Sequence, residues 1–136
     1  DALHVVDFFA KRGLPPQHLI LCHLDRARYD FDYHKDCAQT GAFMEYDTIH
    51  RLKYHDDVKE AELIAFMLES GFEEQLLLGL DTTNARLRSY GAADMGLDFI
   101  LKTFVPFAEE RGISRQMMHK MLVANPPQAL KIKRSV

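Results

Sequence analysis

Apolar and polar positions repeat along the chain as an amphipathic helix, a short apolar run and a polar loop. Between Ala2 and Lys11, Leu3, Val6, Phe9 and Ala10 recur at helical spacing, and Gly13 supplies a stop. After Pro15-Pro16, the stretch His18-Leu19-Ile20-Leu21-Cys22-His23 is continuously apolar in its middle, as strands are in parallel sheets covered on both faces. A second helix is predicted over roughly Phe31 to Gln39, closed by Gly41, and a second strand over Ala42 to Tyr46. Asp57 with Glu60 three residues on predicts a helix start. That helix puts Ala61, Ile64, Ala65 and Leu68 on one face and ends before Gly71. Gln75 to Leu80 predicts a third strand, capped by Asp81. A long loop over Thr82 to Ala93 precedes a helix from about Leu97 to Glu110, ended by Gly112. Ser114 caps a last short helix, which Asn125-Pro126-Pro127 terminates. The order α-β-α-β-α-β-α-α argues for βαβ units with parallel strands. A segment of a barrel and a small doubly wound sheet both fit it.

Composition narrows the class. The chain has 136 residues, 47% hydrophobic and 27% charged, with a net charge of −3, which places it among globular proteins, as one segment spanning 1–136. No apolar run approaches the ~18 residues of a membrane span, and a pI near 6.2 gives no global attraction to nucleic acid or anionic membrane. Two cysteines, Cys22 and Cys37, are too few for a disulfide framework, so a cytoplasmic location is expected. At 136 residues the chain is about half of a (β/α)8 barrel, which typically needs ~250.

Function in parallel α/β folds collects at the carboxyl ends of the strands. Those ends read His23-Leu24-Asp25, Asp47-Thr48-Ile49 and Asp81-Thr82-Thr83. An imidazole at one strand end and a carboxylate two strands on can converge on a divalent ion, although each also has an ordinary structural role as a hydrogen-bonded residue or turn former. The loops add Arg51 and Lys53 after the second strand, and Arg86, Arg88 and Tyr90 after the third. These suit an anionic group on a small-molecule substrate, or form a solvated basic surface that Asp56 and Asp57 partly neutralise.

The segments Ile20-Leu21-Cys22-His23-Leu24-Asp25, Glu45-Tyr46-Asp47-Thr48-Ile49 and Leu78-Gly79-Leu80-Asp81 resemble the last three strands of the phosphotriesterase family of the amidohydrolase superfamily. Phe104-Val105-Pro106-Phe107, Gly112-Ile113 and Ala124-Asn125-Pro126 resemble its closing helices. The resemblance covers nearly all of the chain and about the C-terminal half of the family's fold. It implies an α/β segment comprising about strands six to eight, with their helices, of a (β/α)8 TIM barrel. It also implies a metal-dependent hydrolase with two divalent metal ions, zinc first and manganese or cobalt as alternatives. By the resemblance His23 is the sixth-strand metal ligand. Asp81 is the eighth-strand metal ligand and the catalytic residue that moves the proton from a metal-bound hydroxide to the leaving group.

The departures point to a substrate. Arg26 and Thr48 stand where the phosphotriesterase proper carries an Asp–His relay, which argues against efficient organophosphate hydrolysis. The loops around Arg51-Leu52-Lys53-Tyr54-His55 and Arg88-Ser89-Tyr90-Gly91 look more like members that act on lactones, including phosphorylated sugar lactones. Lys53, Arg86, Arg88, Arg51 and Tyr90 are the candidate substrate-binding residues. A phosphotriester or an acyl-homoserine lactone is the alternative substrate. The first-strand His pair, the bridging fourth-strand residue and the fifth-strand His have no counterpart, so the competing reading is a non-catalytic half-barrel. It would be an oligomer, or would need an N-terminal half as its partner. His4, His34 and His119 are expected on helices, the last two at the surface, and His18 at the far end of its strand. His50 and His55 are candidate substrate contacts. Cys22, Cys37 and Met117, Met118 and Met121 are expected in the core.

Overall fold

The computed structural model describes residues 1–27, 30–84 and 96–131. Its centre is a sheet of three parallel strands in sequence order: β1 (Ile20–Leu21), β2 (Phe43–Tyr46) and β3 (Leu76–Leu78). Ile20 pairs with Phe43, and Met44 with Leu76. Each strand is joined to the next through helix: α2 (Leu24–Ala27) and α3 (Phe31–Gln39) after β1, and α4 (Asp57–Glu69) after β2. Helix α1 (Ala2–Ala10) precedes the sheet, and α5 (Val105–Glu109), α6 (Arg115–His119) and α7 (Asn125–Ala129) follow it. The predicted alternation and parallel pairing are therefore present.

Met44 and Tyr46 are fully buried, whereas Phe43 and Glu45, which point the other way, are half-buried. The sheet is thus sealed by helices on one face, with the other face partly open, unlike the evenly covered sheet expected from the apolar runs. Tyr46 is fixed on the helical side by a 2.9 Å hydrogen bond between its hydroxyl and His34 Nδ1. His34 is fully buried rather than at the surface, because it lies on the same stripe of α3 as the buried Cys37 and Ala38. Phe31 and Phe66, with ring centroids 4.8 Å apart, join α3 to α4. Asn125 donates from Nδ2 to the carbonyls of Glu73 and Leu76, at 2.7 and 2.8 Å, and so ties the end of the chain to the start of β3.

Several boundaries differ from the sequence expectation. Strand β1 is shorter, because Pro16–His18 forms a 3-10 turn before it and His23 turns the backbone after it. His18 therefore sits on that turn rather than in the strand. The cap of α4 is Asp56, whose carboxylate accepts from the Lys59 backbone N–H at 3.0 Å. The last helical segment runs on through Asn125-Pro126-Pro127 to Ala129 instead of ending there. Wide i→i+5 turns, Ile100–Phe104 and Lys120–Ala124, come just before Pro106 and Pro126. Reaching back five residues displaces the carbonyl that the proline ring would strike and that the missing N–H would leave unpaired. Cys37 is buried as expected, whereas Cys22 is exposed. Met118 and Met121 are core residues, and Met117 packs against that core partly buried.

Candidate functional site

Each strand is followed, two to four residues on, by a residue with left-handed backbone. His23 (φ 58°), His50 (φ 56°) and Asp81 (φ 43°) are the non-glycine residues with positive φ among the described residues. This conformation is uncommon for residues with a Cβ and is found where the surrounding fold imposes it. It turns the chain sharply at the strand ends, where the polar side chains gather.

A continuous polar chain joins the first and third strand ends. His23 Nδ1 lies 2.5 Å from Asp47 Oδ2. Asp47 Oδ1 is 3.8 Å from Arg26 Nη2, and the same guanidinium nitrogen donates to Asp81 Oδ2 at 2.6 Å. Arg51 Nη2 reaches Asp81 from the other side, 2.7 Å from its carbonyl and 2.5 Å from Oδ2. Partial desolvation pushes the Asp81 carboxyl up, but the hydrogen bond from Arg26 and the charges of Arg51 and Arg26 outweigh it and hold the group below the usual carboxylate range. Burial raises Asp47, which the hydrogen bond from His23 opposes. Gly79 lets β3 approach closely here: a Cβ on it would meet Glu45 Oε1 at 3.2 Å and Asp47 Cβ at 3.4 Å.

The Asp47 contact occupies Nδ1 of His23 and leaves Nε2 as the nitrogen that can ligate, with 44% of the side chain exposed. The Asp81 side chain is 31% exposed. One imidazole nitrogen and one carboxylate suit a zinc-like divalent ion, so these two residues fit a share of a metal centre. The role of Asp47 could be read only in part from the sequence: its place at a strand end was visible, but its bond to His23 is a contact across strands.

The remaining predicted site residues are placed as follows. Lys53 is exposed, with Nζ 4.7 Å from the centre of the Tyr54 ring. Arg26 lies 5.2 Å from the same ring centre. Arg51 is only 15% exposed and engaged with Asp81. Arg86, Arg88 and Tyr90 lie outside the described residues. His50 is held by Asp57, which accepts from its backbone N–H at 2.6 Å and contacts Nδ1 at 3.0 Å. It also packs on Phe99. His55, expected as a substrate contact, is instead buried beneath the loop, 3.2 Å from Glu60. The Cys22 thiol is pushed up to about 12 by partial desolvation, with help from the nearby Glu45 and Asp47.

Comparison with known proteins follows the same lines. The family model described as "Phosphotriesterase family" matches residues 1–130. N-acetyltaurine hydrolase of Danio rerio is 29% identical, over 96% of this chain and 40% of its own length. Phospho-furanose lactonase of Mycoplasmopsis synoviae is 28% identical, over 95% and 37%. Among solved structures, a lactonase from Listeria monocytogenes superposes with a TM-score of 0.89 at 31% identity, covering 98% of this chain and 42% of that one. The phosphotriesterase homology protein of Escherichia coli, complexed with phosphate in its active site, gives 0.86 at 25% identity, covering 95% and 44%. The chain spans about two fifths of the length of the relatives it matches.

Proposed function

The chain belongs to the phosphotriesterase family of hydrolases, and from that premise we propose that it supplies about strands six to eight of a (β/α)8 barrel that opens a phosphorylated sugar lactone. The observation that carries the reading is the polar chain from His23 through Asp47 and Arg26 to Asp81, which unites two strand ends in one site. The matches to a phospho-furanose lactonase and to a lactonase structure support the substrate class.

His23 and Asp81 are the residues that would hold metal, zinc before manganese or cobalt, with the other ligands coming from other strands of the barrel. A bound divalent pair supplies Lewis acidity and a more acidic water. Asp47 fixes the ring orientation and tautomer of His23. Arg26 and Arg51 keep Asp81 ionised, the state in which a carboxylate can take up the proton released during attack on the carbonyl and pass it to the ring oxygen that leaves. Lys53 is the proposed contact for the substrate phosphate, joined in this proposal by Arg51, Arg86, Arg88 and Tyr90.

A second reading keeps the site and changes the bond: an amide whose tail is a sulfonate, as the match to N-acetyltaurine hydrolase suggests. Cationic loops serve either anion. The test is the full-length parent protein, loaded with zinc or manganese, assayed on a phosphorylated furanolactone and on N-acetyltaurine. Asp81→Asn is expected to lower kcat on the preferred substrate by ~100-fold or more, and undiminished turnover sinks the mechanism. The competing reading is a half-barrel without activity of its own, and stoichiometric tight binding of two metal ions by the isolated chain would contradict it.

A further inference from the structure

Beneath the strand-end site lies a second cluster that neither the lactone nor the amide reading uses. Asp25, in the first turn of α2, is 1% exposed; His55, in the loop before α4, is 8% exposed; Glu60, in the first turn of α4, is 0% exposed. One ligand atom from each lies within 4.8 Å of the other two, and His55 Nε2 is 3.2 Å from Glu60 Oε2. Asp25 Oδ2 accepts from the Thr48 backbone N–H at 2.6 Å. Its Oδ1 and Glu60 Oε1 have no hydrogen-bond partner among the described residues, and Glu60 Oε2 faces His55 Nε2. No lysine or arginine among the described residues pairs with either carboxylate. Asp47 and Asp57 add further negative charge to the surroundings of Glu60. Two buried carboxylates facing one another, with a histidine rather than a lysine or arginine beside them, are strongly unfavourable unless a cation or a proton joins them.

We propose that Asp25, His55 and Glu60 form a buried structural site for one divalent metal ion, zinc or manganese, separate from the His23–Asp81 centre and independent of the substrate assigned to it. A neutral imidazole and two carboxylates cancel the charge of such an ion and match its ligand preferences. An ion ~2.1 Å from each donor separates its donors by at most ~4.2 Å, so the cluster needs to close by less than about 1 Å. The fully buried Glu60, whose Oε1 has no hydrogen-bond partner among the described residues, lies in the site and distinguishes it from a surface group of acids. Bound metal would tie the end of β1, the loop after β2 and α4 together under the mouth of the sheet.

The test uses the full chain carrying His23→Asn and Asp81→Asn, which removes the strand-end ligands. After growth with zinc or manganese chloride and exhaustive dialysis, metal content is read by mass spectrometry and Tm with and without added ion. The proposal expects one equivalent retained and a metal-dependent rise in Tm of roughly 5 °C or more. Adding Glu60→Gln, or His55→Asn should that variant fail to fold, abolishes both effects. Absence of metal and of any Tm shift in the starting variant overturns the proposal and assigns the cluster to a shared proton. Equal metal content with and without Glu60→Gln overturns it as well, since the ion would then be bound elsewhere.

Discussion

At the scale of residues, the fold depends on buried polar groups whose partners lie far away in sequence. Tyr46 is an example: burial first, then the charges of Glu60 and Asp25, raise its hydroxyl well above the ordinary value. The folded protein keeps a proton that the unfolded chain releases near pH 10. The contribution of Tyr46 to stability is therefore complete below about pH 10 and is lost as pH rises from there through the folded value, by ~1.4 kcal/mol per pH unit. Tyr46→Phe is expected to cost about 1–2 kcal/mol at pH 8 through the lost bond to His34, and urea titrations should show that cost shrinking above pH 10. Asn125→Ala removes the donors to Glu73 and Leu76 and leaves buried carbonyls unpaired, at about 1–3 kcal/mol in the same assay. Residue-level reading succeeded for Cys37 and Met118, side chains that pack readily in an interior. It failed for His34 and His55, because the histidine type suggests solvent while the partners that permit burial, Tyr46 and Glu60, lie outside the local window.

At the scale of elements, type was more legible than length. The span of α3 matches its prediction, because Asp30 caps one end, accepting from the Tyr33 backbone N–H, and Gly41 (φ 89°) closes the other. Helix α4 is held at its start by Asp56 in the same way, so Asp56→Ala should lower stability by about 1 kcal/mol, seen as a fall in Tm without a change in the folded circular-dichroism spectrum. Glu60 satisfied the sequence pattern of a capping box but is turned inward to Asp25 and His55. The pattern marked the right turn of helix for a different physical reason. Pro126 misled in the opposite sense: a proline reads as a helix end until a preceding wide turn removes the clash, and nothing local in the sequence announces that turn.

At the scale of the molecule, three parallel strands and their covering helices match family structures more than twice as long. No helix among the described residues is long and apolar enough to cross a membrane. Strands β1 and β3 each pair with one neighbour among the described residues, and open sheet edges recruit other chains. The chain by itself is therefore expected to associate with concentration in sedimentation velocity, and the proposed full barrel, whose edges would be paired, not to do so. In the proposed barrel the ligands that complete the centre would come from other strands, which the 136 residues do not show. The left-handed backbone at His23, His50 and Asp81 bears on engineering. Glycine adopts that conformation without steric cost, so a library selected only for heat resistance should enrich glycine first at His23, whose side chain is 44% exposed, and less at Asp81 and His50, whose side chains hold Arg26, Arg51 and Asp57. In the site proposed above, selecting the parent protein for turnover should instead hold His23 and Asp81, so the difference between the two enrichment profiles tests that proposal.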